Sequence, residues 1–490
     1  MTSHRNEEGF SLVVVIIALT IGSLLTIAAL AAATGDLPSS RKAQDRKAAY
    51  AAAESGLDYY KYKLSLNNDL WKTCYSTTAK AVPDSNETYT LTPIPANGAT
   101  ACSSSTPEAS MIDSRTGSFR VKSTGTAGGV KRTIVATFRR KSFLDFIYYT
   151  TFETTDPPLY PTPSSSRTAS WASTNCQQPR ASRPDDCDDI QFSGADKING
   201  PLHTDDDILA CGATTFGRAG QNPPDRIEVS GPSPGWSRPS GCSGSPTWNG
   251  TLSTGVAALG MPTSNATLAA AAGITYSGTT NILLKGNVMD VTNSSGVTTS
   301  NVALPGNGVI YVKTGTSGCS RTDLPTNPDY TTRDGCANVY VSGNYNKDLT
   351  IGSDKDIIII GDVLRTRVGA VASDVELGLI ATSYVRIKHP TSNGNNVAPV
   401  MTDVTIEAAI MSVQHSFIVD NWNEGARMGT LSVFGAIAQK FRGPVGTTSP
   451  SGYTKDYTYD DRMHYRNPPA FLDAVSAAWQ VVRSNEQVPA

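Results

Sequence analysis

The chain has 490 residues, of which 17% are charged, and its formal net charge is −2. This balance lacks the basic excess that nucleic-acid binding requires, so we expect no nucleic-acid partner. With 42 Gly and 29 Pro residues, the composition is typical of a loop-rich extracellular β protein, and the length is too great for one small domain.

A charge-free apolar run of 24 residues, Phe10–Ala33, follows the short polar segment "MTSHRNEEG". As an α-helix, this run would extend about 36 Å at about 1.5 Å per residue, which is enough to cross a bilayer core of about 30 Å. It exceeds the roughly 7–15 apolar residues of an ordinary secretory signal. The run therefore predicts a membrane-spanning helix.

The junction "GFSLVVVIIAL" (9–19) resembles the class III signal of type IV prepilins and type II secretion pseudopilins. In that family a prepilin peptidase cuts after the glycine, the new N-terminal Phe is usually methylated, and the apolar helix later joins the filament core. The resemblance implies cleavage between Gly9 and Phe10, and a filament-core helix that includes Phe10, Leu12 and Val14. An uncleaved membrane anchor is the alternative.

Val14 departs from the family pattern, because it stands at the fifth position from Phe10, where family members usually carry Glu. In the family, that Glu is thought to pair with the N-terminal amine of the subunit above. A carboxylate without such a partner would be costly in an apolar core. Subunits that lack the Glu are minor ones of the PilX and GspK types, at or near the filament tip. The resemblance therefore implies a minor, tip-located pilin. The other interpretation is that Val14 is an ordinary helix residue in a simple membrane anchor.

Residues 39–66 predict a continuing helix, because good helix formers dominate and apolar residues recur at spacings of three and four. The predicted buried face consists of Ala49, Ala53, Leu57, Tyr60 and Leu64. Gly35 and Pro38 predict a break or kink before it. The stretch "AAAESGLDYYKYKL" (51–64) also resembles the PilX-type N-terminal region.

The predicted fold class is α+β, with a long N-terminal pilin-like helix followed by a mostly β head. A β-solenoid is favoured for the head, and a β-sandwich is the alternative. Val121, Ile134, Ala136 and Phe138 alternate as in half-buried strands, which predicts a sheet packed on the long helix. The predicted boundaries are a leader at 1–9, the transmembrane and stalk helix at 10–66, a pilin-like β region at 67–150, a Pro/Ser-rich linker at 151–190, a β-rich head at 191–475 and a C-terminal tail at 476–490.

All eight cysteines lie beyond the apolar run, and an even number in an exported chain suggests disulfides. The sequence allows many connectivities, and we favour the four successive short-loop pairs. These are Cys74–Cys102, Cys176–Cys187, Cys211–Cys242 and Cys319–Cys336. No two cysteines have the close spacing of a zinc site, so we expect no zinc there.

We find no motif of a serine hydrolase, a zinc protease or a P-loop protein, and we expect no enzyme activity and no cofactor. The best chemical cluster is "HTDDD" (203–207), where His203, Asp205 and Asp207 would share one strand face. They are weak metal candidates, and calcium would suit the oxygens. A solvated turn is the favoured interpretation. Four tyrosines near the C-terminus predict a cap over the β stack, with a sugar platform as the alternative; they are Tyr453, Tyr457, Tyr459 and Tyr465.

The resemblance also implies partners and location. The expected partners are a prepilin peptidase, other pilins or pseudopilins, the inner-membrane assembly machinery and the membrane itself. The expected location is the bacterial inner membrane before assembly and the cell surface afterwards. Three functions follow: a filament component at or near the tip, a pilus-associated adhesin, and a membrane-anchored envelope protein outside any filament.

Overall fold

The computed structural model describes residues 8–113, 116–319, 323–448, 451–475 and 479–487, without the side chains of residues 8–11 and 31–37. Most of the predicted leader, residues 1–7, lies outside this part of the chain. The chain divides into two compact units. The first comprises Met1–Asp113, Ser118–Arg139 and Trp479–Ala490, and the second comprises Ser114–Gly117 and Arg140–Ala478.

The helices are α1 (Glu8–Leu66), α2 (Pro107–Met111), α3 (Ala169–Asn175) and α4 (Ala266–Ala270). Short 3-10 turns occupy Leu70–Thr73, Phe143–Asp145, Pro157–Leu159, Arg180–Ser182 and Asp461–His464.

The strands are β1 (Lys80–Ala81), β2 (Thr88–Ile94), β3 (Ser118–Ala127), β4 (Val130–Arg140), β5 (Tyr148–Phe152), β6 (Phe192–Ser193), β7 (Lys197–Asn199), β8 (Leu202–Thr204), β9 (Ile208–Cys211), β10 (Thr215–Phe216), β11 (Arg226–Val229), β12 (Trp236–Ser237), β13 (Thr247–Trp248), β14 (Thr251–Thr254), β15 (Ile274–Ser277), β16 (Thr280–Gly286), β17 (Val288–Thr292), β18 (Thr298–Ala303), β19 (Val309–Lys313), β20 (Val339–Tyr345), β21 (Leu349–Ser353), β22 (Ile357–Arg365), β23 (Arg367–Val368), β24 (Val371–Ala372), β25 (Leu377–Ala381), β26 (Val385–Ile387), β27 (Thr391–Ser392), β28 (Asn395–Asn396), β29 (Thr405–Ser412), β30 (Phe417–Val419), β31 (Thr430–Phe441), β32 (Thr454–Tyr459) and β33 (Trp479–Gln487).

Helix α1 runs without interruption through Pro38, so the helix does not break at Gly35 or Pro38, and the alternative of a kink there stays a prediction. A proline removes one backbone donor and disturbs one turn. Here, long stretches of good helix formers lie on both sides, and propagation of the helix outweighs the loss of a single hydrogen bond.

The C-terminal half of α1 packs against an antiparallel sheet with strand order β1-β2-β3-β4-β33. The predicted helix face is buried as expected, and so are the alternating residues of β3 and β4. The core of this unit consists of Ala53, Leu57, Tyr60, Leu64, Leu70, Trp71, Tyr89, Leu91, Met111, Phe119, Val121, Ile134, Ala136 and Phe138. A half-buried sheet on an amphipathic helix is the arrangement that the two periodicities require.

Gly125 marks the closest approach of β3 to α1. A Cβ atom at Gly125 would stand 2.0 Å from the Ala49 carbonyl oxygen and 2.5 Å from the Ala53 nitrogen. Because both neighbours are backbone atoms, they can yield only if helix and sheet separate. We expect Gly125→Ala to lower the free energy of unfolding of this unit by about 1–3 kcal/mol or more.

Hydrogen–deuterium exchange of the β3 amides in the full chain measures this effect. Gly306→Ala is the matched control, because a Cβ at Gly306 would meet no atom within 4 Å. Equal protection of β3 in the two variants would contradict the predicted close approach.

The predicted C-terminal tail contains the strand β33, which lies beside β4 in this sheet. Trp479 and Val481 pack on the core of the unit, and the Trp479 indole N–H donates to the Asn68 carbonyl oxygen at 2.9 Å. Arg132 and Glu486 form an ion pair between β4 and β33. The second unit is therefore inserted between two neighbouring strands of one sheet. The sequence analysis missed this because a single edge strand with mostly exposed side chains carries little apolar signal.

The second unit is built mainly from three ladders of parallel strands. The first ladder is β13-β10-β7-β32-β31-β29-β22-β20-β16. The second is β14-β11-β8-β5-β31-β29-β25-β21-β19-β15. The third is β30-β26-β22-β20-β16, and β12-β9-β6 form a separate parallel sheet. Long strands contribute one half to each of two ladders: Thr405–Ala408 lies in the first and Ala409–Ser412 in the second. Successive segments of the chain thus visit the ladders in turn. The β-rich head is confirmed, and its assignment as solenoid or sandwich stays a prediction.

The order of strands along the ladders differs from their order in the sequence. The late strands β31 and β32 pair with the early strands β5 and β7. The chain must therefore cross from β14, at one end of the ladders, to β15 at the other. Hydrogen bonds to the rest of the unit hold this crossing segment, residues 255–273. The Leu259 N–H donates to Asp205 at 3.0 Å. The Gln414 amide donates to the Thr263 carbonyl at 3.4 Å, and the Asn265 amide donates to the Ser353 carbonyl at 2.9 Å.

Residues 151–190, predicted as a linker, are a folded part of the second unit. Glu153, Thr154, Thr155 and Asp156 are buried, and Arg442 donates to Glu153 at 3.0 Å. Farther along, Arg180 and Arg183 pair with Asp189, and Arg183 also pairs with Asp206. Proline and serine content predicts irregular backbone equally for a mobile linker and for an ordered insertion, so composition could not separate the two.

The structure contains four disulfides, and they join the four pairs that we favoured from the sequence. They are Cys74–Cys102, Cys176–Cys187, Cys211–Cys242 and Cys319–Cys336. Each closes a short loop, with sequence separations of 28, 11, 31 and 17 residues.

Candidate functional site: the exposed apolar segment of helix α1

The N-terminal half of α1 presents an apolar surface that the rest of the chain leaves uncovered. The segment Leu12–Leu30 has a mean hydropathy of 2.7, and none of it is buried. Its exposed large side chains are Leu12, Val13, Val14, Val15, Ile16, Ile17, Leu19, Ile21, Leu24, Leu25, Ile27 and Leu30. They follow one another too closely to form a single stripe, so the helix is apolar on all sides. Such a helix requires an apolar environment around its whole circumference.

The polar side chains within this segment are satisfied by the helix itself. The Thr20 hydroxyl donates to the carbonyl of Ile17 at 2.9 Å, the Ser23 hydroxyl to that of Thr20 at 2.9 Å, and the Thr26 hydroxyl to that of Ser23 at 2.8 Å. Hydrocarbon offers no partner for a free hydroxyl, and these three need none.

The length of the segment suits a bilayer. At about 1.5 Å per residue, its 19 residues extend about 28 Å, close to the roughly 30 Å of a bilayer core. Four basic side chains that are exposed follow it, Arg41, Lys42, Arg46 and Lys47. The segment can therefore lie in a membrane, or among similar helices, while the basic cluster stays in water or at the headgroups.

Val14 lies within this exposed surface, with 51% of its side chain accessible, and Leu12 lies two residues before it on the same segment. The backbone of Gly9 and Phe10 belongs to α1, and the Phe10 side chain is outside the described part. The structure thus places the predicted filament-core residues Leu12 and Val14 on the uncovered helix. It does not test the predicted cleavage.

The "HTDDD" cluster is an internal network of hydrogen bonds. Strand β8 ends at Thr204, so the alternation that would align the three side chains does not continue to Asp207. His203 is fully buried, with Nδ1 2.8 Å from Glu228 and Nε2 3.0 Å from Asp205. Asp205 also accepts from the Tyr149 hydroxyl at 2.5 Å.

The Asp207 carboxylate lies against Gly231, away from this network. Within the described ranges, no group of three or more His, Cys, Asp or Glu side chains is arranged to hold a metal ion. The calcium suggestion for residues 203–207 therefore finds no support in the geometry.

The C-terminal tyrosines are mostly internal. Tyr453, Tyr457 and Tyr459 are buried in the core of the second unit, and only Tyr465 is widely exposed, at 69%. The Tyr453 hydroxyl donates to the Met401 carbonyl at 2.5 Å, and that of Tyr459 to the Leu144 carbonyl at 2.7 Å. Buried rings with internally bound hydroxyls cannot form a platform for sugars.

Comparison with known proteins gives a family similarity and a structural similarity. Residues 8–58 match the family described as PilX N-terminal, which covers the apolar segment and most of the stalk helix. Among solved structures, the competence-associated pilin ComZ from Thermus thermophilus is similar, with 12% identity, 90% of this chain and 97% of that chain covered, and a TM-score of 0.33. No curated protein matches the chain. The N-terminal region is thus type IV pilin-like.

Proposed function

We propose that this chain is a minor type IV pilin or pseudopilin-like subunit that contributes to filament assembly. In this proposal Phe10 becomes the N-terminus after a prepilin peptidase cuts behind Gly9, and the apolar half of α1 enters the filament core. The observation that carries the proposal is the uncovered segment Leu12–Leu30 at the start of a helix whose other half packs on a sheet. An apolar surface on all sides suits both states of a pilin helix, first among lipids and then among other helices.

The proposed mechanism is mechanical. Lipid tails are about as apolar as leucine, so transfer of α1 from bilayer to filament gains little from the hydrophobic effect itself. Close packing against neighbouring helices stabilises the subunit in the filament, and an assembly machinery supplies the work of extraction. The second unit, most of which is inserted between β4 and β33, is then displayed at the cell surface.

We place this subunit at or near the filament tip because of Val14. A glutamate at this position needs the N-terminal amine of a subunit above it, and an unpaired carboxylate in an apolar core is costly. Valine avoids that cost in a subunit with nothing above it.

Val14→Glu tests the tip position. We expect normal processing, because the change lies outside the Gly9–Phe10 junction, and a shift of the subunit from the tip into the shaft. Immunogold labelling of the second unit on sheared filaments measures its position, and filament number per cell measures assembly. Val15→Glu is the matched control, since it adds the same charge one residue away and should reduce incorporation rather than relocate it. Unchanged location and filament number in Val14→Glu would rule out the tip argument.

The mass of the N-terminal peptide of the protein recovered from membranes and from sheared filaments tests the proposal as a whole. We expect a methylated Phe10 terminus in both fractions. An intact Met1 and absence from filaments would instead support the alternative, an envelope protein that α1 anchors in the membrane outside any filament.

A further inference from the structure

The second unit contains a groove of about 610 Å³ at which five segments of the chain meet. They are the end of β5 (Thr151, Phe152), the insertion (156–158, Ser173, Gln177), the crossing segment (261–263), the corner after β29 (413–415) and the end of β31 (Lys440, Phe441). The groove exists only because β31 pairs with β5 and the crossing segment passes beside them.

A fixed histidine forms part of the groove wall. His415 Nδ1 lies 3.0 Å from each carboxylate oxygen of the fully buried Asp156, which also accepts from the Ser416 hydroxyl at 3.1 Å. The ring stacks on Tyr384 with centroids 4.5 Å apart. With 23% of the side chain exposed and Nδ1 committed to Asp156, Nε2 is the ring nitrogen left for a ligand.

Lys440 adds a positive charge beside this histidine. Its backbone N–H donates to the His415 carbonyl at 3.0 Å, and its Nζ lies 5.4 Å from the centroid of the Phe441 ring. Among the residues that the structure describes, Lys440 has no carboxylate within ion-pair distance. A protonated His415 offsets the Asp156 charge and leaves the Lys440 cation uncompensated in the groove.

Protonation of His415 strengthens this positive character. Burial of the ring opposes its charge, but the carboxylates of Asp156 and Asp356 outweigh burial and Lys440 and raise the pKa of His415 above its ordinary value. Tyr384, the other titratable group against the ring, stays neutral because burial raises its pKa well above 10.0.

The remaining lining is apolar or neutral. Phe152 and Phe441 pack together with centroids 5.5 Å apart, and Pro157, Pro158 and Met261 extend this surface. Neutral hydroxyl and amide side chains surround it, among them Ser173, Gln177 and Gln414. Such a lining suits a ring with a C–H face and many hydroxyls. A nucleic-acid strand would require a row of cations along its phosphates, and this groove offers one lysine.

We propose that this groove binds an acidic saccharide, a uronic-acid unit whose carboxylate contacts Lys440 and His415 and whose ring packs on the partly exposed Phe152. The proposal concerns the second unit alone and holds whether or not the chain enters a filament.

Calorimetric titration of the full chain in detergent with three probes tests the proposal. The probes are an oligogalacturonate, the same oligomer fully methyl-esterified, and a single-stranded DNA oligomer of equal charge. We expect the oligogalacturonate to bind, and the other two probes to bind with an affinity at least roughly tenfold lower. This difference corresponds to the loss of one charge-assisted contact. Lys440→Met keeps the aliphatic stem and should weaken oligogalacturonate binding by roughly tenfold or more.

Lys313→Met is the control, because Lys313 is an exposed lysine of β19 outside the groove. Oligogalacturonate affinity should also fall as pH rises through the raised pKa of His415, and His415→Gln should remove that dependence while Lys440→Met keeps it. The proposal is overturned if the acidic and esterified oligomers bind equally, or if Lys440→Met leaves the oligogalacturonate affinity unchanged. It is also overturned if the DNA oligomer binds as tightly as the oligogalacturonate and loses affinity in Lys440→Met.

Discussion

Gly9→Ala is expected to leave the chain uncut and absent from filaments. By the proposed function, the peptidase recognises the glycine that precedes Phe10, and a methyl group at this position obstructs the scissile backbone. The uncut polar leader would then remain attached to the apolar segment Leu12–Leu30, and its charges could not enter an apolar filament core at acceptable cost. Intact mass of the membrane-bound protein measures processing, and immunoblotting of sheared filaments measures incorporation.

Gly22→Ala is the matched control for this substitution. Gly22 lies in the same helix, a Cβ there would meet no atom within 4 Å, and alanine favours the helix. We expect Gly22→Ala to be processed like the unchanged chain. If Gly9→Ala gave the same mature mass as Gly22→Ala, cleavage behind Gly9 would be excluded. If Gly9→Ala stayed uncut yet entered filaments, the leader would have no part in controlling assembly.

Arg386→Met is expected to cause the largest loss of stability in the second unit. The Arg386 guanidinium, 1% exposed, donates to Asp420 at 2.7 Å and to Asp356 at 2.9 Å, and Asp323 lies 3.3 Å away. Burial raises the pKa of Asp420 to about 6 even with this partner present. Removal of the arginine leaves buried carboxylates without their counter-ion, which costs about 3–5 kcal/mol.

Urea unfolding of the full chain, followed by hydrogen–deuterium exchange of β26 and β30, measures this loss at pH 7.5 and at pH 5. We expect a smaller loss at pH 5, because carboxylates deprived of Arg386 take up protons more readily than in the unfolded chain. Arg333→Met is the control, since Arg333 is exposed and a surface change of this kind alters stability by about 0.5 kcal/mol or less. Equal stability of Arg386→Met and Arg333→Met would show that the Arg386 charge does not stabilise its buried carboxylate partners.

Addition of Asp420→Asn to Arg386→Met should restore part of the lost stability, because the amide removes one uncompensated charge and still accepts from the Tyr330 hydroxyl, now 2.6 Å from Asp420. A further loss in the double variant would mean that shape, rather than charge, sets the cost at this site.

The sequence by itself determined the features that depend on neighbours along the chain. The apolar segment follows from an uninterrupted run of side chains, and the buried face of α1 from spacings of three and four that any helix repeats. The four disulfides join cysteines that are successive in sequence, so short loops favoured them over distant pairings. Strand alternation likewise identified Val121, Ile134, Ala136 and Phe138 as core residues.

Only the tertiary structure decided the features that join distant parts of the chain. Arg386 lies between Val385 and Ile387 in β26, so strand alternation alone would predict a solvent-facing side chain. The structure buries it instead, because the segment that carries Asp323 and Tyr330 packs over this cluster. The groove at His415 likewise needs β5 beside β31, although 277 residues separate Phe152, at the end of β5, from Thr430, at the start of β31.

 Backbone pairing between such distant strands leaves no local pattern, because any β-rich segment can pair with any other of compatible register. The strand β33 was missed for the same reason: its place beside β4 depends on a partner more than three hundred positions earlier in the chain, and its own side chains are mostly exposed. Local periodicity therefore determined which elements form, whereas the order in which they pair, and the charges and groove enclosed by that order, arose only from long-range packing.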